Sequence, residues 1–460
     1  VLRRQSDKGI LSVNDGYLLS GEAQMAEIAR DAANLTLSLG AQEVMVSAIE
    51  MAGITMRARG GRFDSAVREG GQTVTIKVFD GGRAGTATTS ALTRAALNLA
   101  AERAIAIARA VEPDPDTAPA EEAWLAREVP ALELFAPSSL SAQDLGRVAL
   151  EIEAAGAEAG LGSVRIAEAG AASLDACSAL AIGRDFDRSL IGSRQDIWCM
   201  AIAERDGAMV QDHWSSADRR LSQLLPCSIV GRTAADRALR KLGGRTLDTQ
   251  NCAVLMDAPV AASLVYEIVG ALSGRAQFEG ATFLAADRRS PALASHLDLM
   301  EDPFEPFGLS SGVCDSEGVA SHRRMIIAGG QVQGLFLSCL HARKLGRAPT
   351  GSADGPRNLH LSSQLGAEPL EEMLRQLGRG LWVTELIGGA VDPVSGAYSK
   401  AVAGFWVEGG EIAFPVQDIT VAGDLPAMLQ QIVAIGGDVH RSGAARTGSV
   451  LIESMRISGR

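Results

Sequence analysis

Aromatic side chains are scarce, with phenylalanine, tryptophan and tyrosine making up 4% of the 460 residues. That argues against a nucleic-acid reader built on aromatic stacking platforms. Lysine is nearly absent: only 5 of the 43 basic residues are lysine and the rest arginine, a skew expected of genomic base composition rather than of function. The net charge is −12 and no basic block interrupts it, so there is no electrostatic footprint for a phosphate backbone or an anionic membrane surface. The six cysteines (Cys177, Cys199, Cys227, Cys252, Cys314 and Cys339) are widely spaced and form no CxxC pair. This spacing resembles neither a disulfide framework nor a zinc knuckle and points to a reducing compartment. No apolar run approaches the ~18 residues of a membrane helix. The twin arginines Arg3 and Arg4 are not followed by an apolar signal region. The expected location is the cytoplasm.

What is present suffices for a large core. Hydrophobic residues make up 47% and charged residues 21%, as in ordinary soluble proteins. The length suggests two to four domains at roughly 100–200 residues each. Met25, Ile28, Ala29, Ala32, Leu35 and Leu39 repeat at helical spacing up to Gly40. The period then becomes two at Val44, Val46 and Ala48, at Ile54, Met56 and Ala58, and at Val74, Ile76 and Val78, which reads as antiparallel strands. FDGGRAGTA (79–87) supplies a glycine hairpin, and an alanine-rich helix follows over 90–110. Residues 1–111 thus read as an N-terminal α+β domain.

Five prolines between 112 and 137, set among Glu112, Asp114, Asp116, Glu121 and Glu122, predict a connection that hugs the surface. A helix is expected over 141–160, with Ser141 and Asp144 placed as a capping box. Strands dominate from Val164 to Trp214, so residues 112–227 read as an acidic connection plus a strand-rich middle domain. Residues 228–460 form the third part. It holds a helix that Asp257 can cap and Gly274 can end, with Pro259 in the first turn, and hairpins at 327–335 and 407–414. The expected fold is mixed α+β in three parts, the last large and β-rich.

Catalytic apparatus is hard to find. No phosphate loop of the GxxxxGK[ST] type occurs, and no two of the six histidines share the spacing of a zincin helix. DGGRAG (80–85) reads as a plain hairpin rather than an anion cradle. The nearest thing to a metal cluster is Cys339 with His341, side by side if on a strand, joined by His360. A packed cysteine and a surface histidine explain the same residues, since metal sites usually need three or four protein ligands.

Long C-terminal motifs change this reading. DPFEPFGLSSGVCDSEGVA (302–320), ARKLG (342–346) with Thr350-Gly351, Asn358-Leu359, and ELIGGAVDPVSGAYSKAVAGFWVEGGEI (385–412) closely resemble the PmbA/TldE branch of the TldD/PmbA family. The resemblance runs from about residue 20 to the end. It implies a cytoplasmic protein linked to proteolysis, one of two related subunits of a metallopeptidase. In that family the TldD-type subunit carries an HExxxH zinc motif on a helix and a further ligand near its C-terminus. Here the matching positions hold Tyr266, Glu267 and Ala271, and ARTGSVLIESMRISG (445–459) contains no cysteine. A phenol is a poor zinc ligand at neutral pH, a methyl group is none, and a lone glutamate cannot activate water without a metal.

The resemblance therefore implies no zinc on this chain and zinc on a TldD-type partner. Glu267 is at most a vestigial catalytic candidate, at the edge of a buried stripe formed by Val260, Leu264, Ile268 and Leu272. Unfolded protein or peptide is the implied substrate, with a homodimer possible when the chain is alone. The alternatives are a regulatory protein acting on gyrase or on a toxin–antitoxin pair, and a self-sufficient hydrolase using Cys339, His341 and His360.

Overall fold

The alternating runs of the first 220 residues fold into strands several times longer than the usual five or six residues. A computed structural model describes residues 20–128, 130–287, 290–441 and 443–459. Arg3 and Arg4 lie outside the described residues. Helix α1 (Gly21–Ser38) precedes β1 (Glu43–Arg59), β2 (Arg62–Phe79) and β3 (Ala84–Thr89), and α2 (Arg94–Ala110) follows. The two alternating stretches at 44–48 and 54–58 are one continuous strand, because nothing between them breaks the ladder to β2. After the acidic connection come α3 (Ala142–Ala159), β4 (Val164–Ile182), β5 (Phe186–Arg205), β6 (Ala208–Asp218) and α4 (Cys227–Arg240). The capping box expected for α3 is formed: the Asp144 amide donates to Ser141 Oγ at 3.2 Å and the Ser141 amide donates to Asp144 Oδ2 at 3.0 Å.

All six strands form one antiparallel sheet in the order β3-β2-β1-β4-β5-β6, with β1 paired to β4 from Met45–Ile182 to Ala58–Ala169. The strands on either side of the acidic connection therefore share a sheet. Val44, Val46 and Ala48 pack against α1 and α2, whereas Ile54 and Met56, of the same parity on β1, pack near α3 and α4. The four helices thus cover one face, in two pairs. Helices α3 and α4 cross so closely that a Cβ on Gly231 would lie 2.3 Å from the Ile152 carbonyl oxygen, a position only glycine fills.

The C-terminal region begins with β7 (Gln250–Met256), α5 (Ala258–Ala271) and α6 (Gly274–Glu279). Gly274 opens α6 instead of ending α5, which stops at Ala271 with Leu272 as its cap. Next come β8 (Leu297–Asp302), β9 (Arg324–Ala328), β10 (Gln331–Val332), α7 (Cys339–Lys344), β11 (Asn358–Ser363) and α8 (Leu370–Leu377). The chain ends with β12 (Gly380–Val391), β13 (Ala397–Glu408), β14 (Glu411–Asp424), α9 (Leu425–Gln430), β15 (Ile432–Ile435), β16 (Ala445–Arg446) and β17 (Val450–Ser458). Strands β10-β9-β8-β11-β16 form one sheet. Strands β14-β13-β12-β7-β17-β15 form another, which closes because β14 also pairs with the end of β17. One hydrophobic core joins both sheets, with Val260, Leu264 and Ile268 of α5 inside it. The α+β class is as expected.

Two charged contacts fasten the helix-covered sheet to the C-terminal region. Arg237 of α4 pairs with Asp212 of β6 at 3.2 Å and with Asp257 at 2.9 Å, and donates to the Thr384 carbonyl at 3.1 Å. Lys241, itself buried, reaches Asp212 at 2.8 Å and Glu385 at 2.5 Å. Separately, Arg219 has no carboxylate partner among the described residues and donates to the carbonyls of Leu134, Ser193, Gly308 and Leu309 at 3.0–3.1 Å. Burial pulls its pKa down to about 10, which leaves it charged at neutral pH. The acidic connection adds a third tie. Arg343 donates to the carbonyls of Asp116, Ala118 and Pro119, and Lys344 pairs with Asp114 at 2.7 Å.

Two stability predictions follow from this packing. Replacing Asp212 with alanine takes one carboxylate from both Arg237 and Lys241 and leaves them Asp257 and Glu385, so the loss should approach without exceeding the roughly 3–5 kcal/mol of a broken buried pair. Urea unfolding should show that loss for Asp212→Ala, whereas Glu122→Gln, at an exposed pair, should change stability by less than about 1 kcal/mol. Asp175, 4% exposed and with Oδ1 unpartnered, has its carboxyl pushed by burial from 3.8 to about 6. The folded state then favours the neutral acid, so Asp175 stabilises below pH 3.8 and that contribution is lost as pH rises through about 6. Asp175→Asn should flatten the stability curve across this window and raise stability at pH 7–8, by up to about 3 kcal/mol at roughly 1.4 kcal/mol per unit. An unchanged curve would contradict this.

Candidate functional site

Helix α5 carries the positions where the resemblance puts a zinc motif. Its apolar stripe at every third or fourth residue buries Val260, Leu264, Ile268 and Leu272, as expected. Tyr266 points away from that stripe and is 46% exposed. Its phenol oxygen accepts a hydrogen bond from the Ala445 amide at 3.3 Å. Gly443 passes beside it, where a Cβ would lie 3.1 Å from the phenol oxygen. Ala271 is buried, and its carbonyl accepts from Gln277 Nε2 at 2.7 Å and from Thr282 Oγ1 at 2.8 Å.

Glu267 is half-buried and makes no hydrogen bond or ion pair among the described residues. Its charge is felt by Tyr398, whose buried, unpartnered phenol is pushed upward by burial first and by Glu267 second. The three positions thus offer a half-exposed phenol already bonded to backbone, one carboxylate and a buried methyl group. Residues 445–459 add no thiol or imidazole. This donor set does not fit a zinc ion, which takes thiolate, imidazole or carboxylate in sets of three or four.

Cys339, His341 and His360 are not brought together as the strand reading required. Residues 339–344 form helix α7, because the Ser338 hydroxyl caps its first turn, and two residues on a helix turn about 200° apart. The Cys339 thiol is buried and pushed up by that burial and then by Glu317, whose carboxylate also accepts from the Cys339 amide at 2.6 Å. His341 Nδ1 lies 3.0 Å from Ser338 Oγ, and burial holds its imidazole below the usual range. His360, on β11, is hydrogen-bonded to Glu305. Among the described residues no three histidine, cysteine or acidic side chains are grouped as a metal site would require.

One cluster was not singled out by sequence reasoning. Glu305 is bonded to His360 through one carboxylate oxygen and to Arg446 through the other. Asn358 Nδ2 donates to the Asp302 carbonyl and to Ser311 Oγ, both at 2.8 Å. Burial pushes Glu305 upward, but the His360 hydrogen bond and the Arg446 and His360 charges outweigh it and hold the carboxyl below its usual value. Glu305 falls inside DPFEPFG, but its partners lie 55 and 141 residues away, and only the fold assembles them.

The comparisons give the family. Residues 249–459 match the PmbA/TldA metallopeptidase C-terminal domain and residues 44–108 match domain 1 of the same family. The chain is 34% identical to metalloprotease PmbA of Escherichia coli O157:H7 over 91% of its own length and 92% of the relative's. It is 29% identical to a PmbA homologue of Haemophilus influenzae, covering 96% and 98%. A crystal structure from Thermotoga maritima, described as a candidate modulator of a DNA gyrase, superposes with a TM-score of 0.84 at 25% identity, covering 94% of this chain and 99% of that one. The chain belongs to the PmbA/TldD family, as a PmbA/TldE-type member. The fold is shared with TldE of Thermococcus kodakarensis, at a TM-score of 0.80 and 17% identity over 95% of this chain and 100% of that one.

The Glu305 cluster gives a pH prediction. A carboxyl held below 4.5 stabilises the fold above that pH, and the contribution is lost as pH falls through the lowered value. Glu305→Gln should lower stability at pH 7 and remove part of the acid-induced loss below pH 4.5. Thermal unfolding from pH 3 to 7 checks it, and identical curves for the two proteins would contradict the assignment.

Proposed function

We propose that this chain is the subunit of a two-chain metallopeptidase that carries no zinc of its own. The zinc and the water-activating glutamate sit on a TldD-type partner, and the pair acts on unfolded peptide in the cytoplasm. The observation that carries this reading is the donor set at Tyr266, Glu267 and Ala271, on the helix where the family's motif falls. A relative from Buchnera aphidicola is named a TldD homologue, so both chain types belong to the set of relatives. Among the described residues no helix is long and apolar enough to cross a membrane.

A place for substrate is compatible with the fold. Strand β7 pairs with β12 only over Gly380–Val383, so from Leu386 onward β12 is paired only to β13. Residues 387–390 on that edge are exposed. An extended peptide can add there as a strand, through main-chain hydrogen bonds that need no special side chains. Alone, the chain forms a homodimer; with its partner it exchanges into a heterodimer that buries at least about 1,000 Å².

Reconstitution with a TldD-type chain tests the reading. The isolated chain should hold no stoichiometric zinc by elemental analysis after zinc reloading, and should not cleave an unfolded substrate. The pair should cleave it. Glu267→Gln should leave turnover of the pair within about tenfold, because losing a true general base costs roughly 10²–10⁴. One tightly held zinc per isolated chain, or a thousand-fold loss on changing Glu267 with the assembly intact, would sink it. A pair no more active than the TldD-type chain alone would favour a regulatory binding role instead.

A further inference from the structure

A cavity of about 610 Å³ opens at the seam between the helix-covered sheet and the C-terminal region, a volume in the range of small-molecule sites. One wall comes from β6 and α4, the other from the start of α5, α8 and the loop at 438–441. Its apolar lining includes Trp214, Leu225, Leu370, Trp382 and Val439. Trp214 is fixed by two neighbours: the Arg237 guanidinium lies 5.1 Å from its ring centroid and the His440 ring 5.4 Å away. Burial, then the Arg237 charge, holds His440 below the usual imidazole range, so it is neutral at pH 7.

The charged lining sorts into used and unused groups. Arg237 is committed to Asp212 and Asp257. Asp218 is committed to Arg220, and Asp438 accepts from the amide and hydroxyl of Ser449. Asp236 and Arg240, one helical turn apart on α4, make no hydrogen bond or ion pair among the described residues, and neither does Arg441 on the opposite wall. The cavity therefore presents two unpaired guanidinium groups, one unpaired carboxylate and an apolar wall. That is the complement of a zwitterion with an apolar side chain.

We propose that this seam cavity binds a short zwitterionic ligand with an apolar side chain, a free amino acid or a peptide of two or three residues. Arg240 and Arg441 hold the carboxylate through charge-assisted hydrogen bonds, Asp236 holds the ammonium group, and the side chain lies against Trp214 and Val439. The site concerns what this chain holds rather than what the pair cleaves. It stands or falls on the isolated chain, whether or not a peptidase partner exists.

Calorimetric titration of the full chain with leucine, Leu-Leu and Leu-Leu-Leu tests this, alongside N-acetyl-Leu-Leu and Leu-leucinamide. At least one zwitterion should bind with a Kd below about 1 mM, and blocking either end should weaken binding about tenfold or more. The best binder among the first three tells an amino acid from a peptide. Arg441→Gln and Arg240→Gln should weaken the free carboxylate ligand while leaving the amide ligand unchanged. Asp236→Asn should weaken the free amine and leave the acetylated ligand unchanged. A merely structural role would weaken all ligands together. No binding by any zwitterion at about 10 mM, or end-blocked ligands that bind as tightly as free ones, overturns the proposal.

Discussion

The relation between the two halves of the molecule is registered by a knot of charge, Arg237 and Lys241 against Asp212, Asp257 and Glu385, beside the ties made by Arg219, Arg343 and Lys344. Each half has its own hydrophobic clusters, and these alone would not fix how the halves sit against each other. Buried charges do, because each must meet its partner in a narrow range of geometry or remain desolvated without compensation. The knot ties α4 to the residue that starts α5 and to the point where β12 parts from β7. The start of the motif helix and the segment of β12 at Thr384 and Glu385 are thereby held against the end of α4. Replacing the whole knot by apolar side chains need not unfold the protein, since buried ion pairs contribute little net stability. Its contribution is registration.

Arg219 shows the same economy in another form. A guanidinium with four backbone carbonyls and, among the described residues, no carboxylate keeps its charge and ties three segments together: the connection at Leu134, strand β5 at Ser193 and the loop at Gly308 and Leu309. Burial lowers its pKa, yet the value of about 10 lies well above neutral, so the clamp does not release over the physiological range. An arginine serves here where a lysine would not, because five donors in a planar fork can satisfy several carbonyls together. The scarcity of lysine in this chain is compatible with such roles, although base composition explains it sufficiently.

Much of the local structure was legible in the sequence, for reasons that can be named. The stripe at Val260, Leu264, Ile268 and Leu272 and the capping box at Ser141 and Asp144 are encoded within one or two helical turns. The α+β class followed from the switch between periods of 3.6 and 2. What was not legible is long-range. That Val44–Ala48 and Ile54–Ala58 belong to one strand depends on β2 and β4 holding the ladder through Met51 and Gly53. That Cys339 begins a helix depends on the Ser338 hydroxyl, a single cap easily lost beside an apparent alternation. Partners such as Lys241 and Glu385, 144 residues apart, leave no trace in spacing. The candidate site was legible in its residues and not in its geometry: the resemblance located Tyr266, Glu267 and Ala271, but not the bond from the Ala445 amide to the phenol or the Glu305 cluster.

The chemistry of the motif helix can be argued one step further from Glu267 itself. A catalytic carboxylate needs either a metal that acidifies its water or an environment that tunes its own proton affinity. Glu267 finds no hydrogen-bond donor among the described residues and is only half-buried. The nearby phenol of Tyr398 does not supply it, because burial and the Glu267 charge both push that phenol away from ionisation and its hydroxyl finds no partner. Tyr266, the other hydroxyl on this helix, is engaged with the backbone of the segment that leads into β16. A phenol there bridges α5 to the C-terminal strands. The bridge links the motif helix to the segment that enters β16 through a protein hydrogen bond.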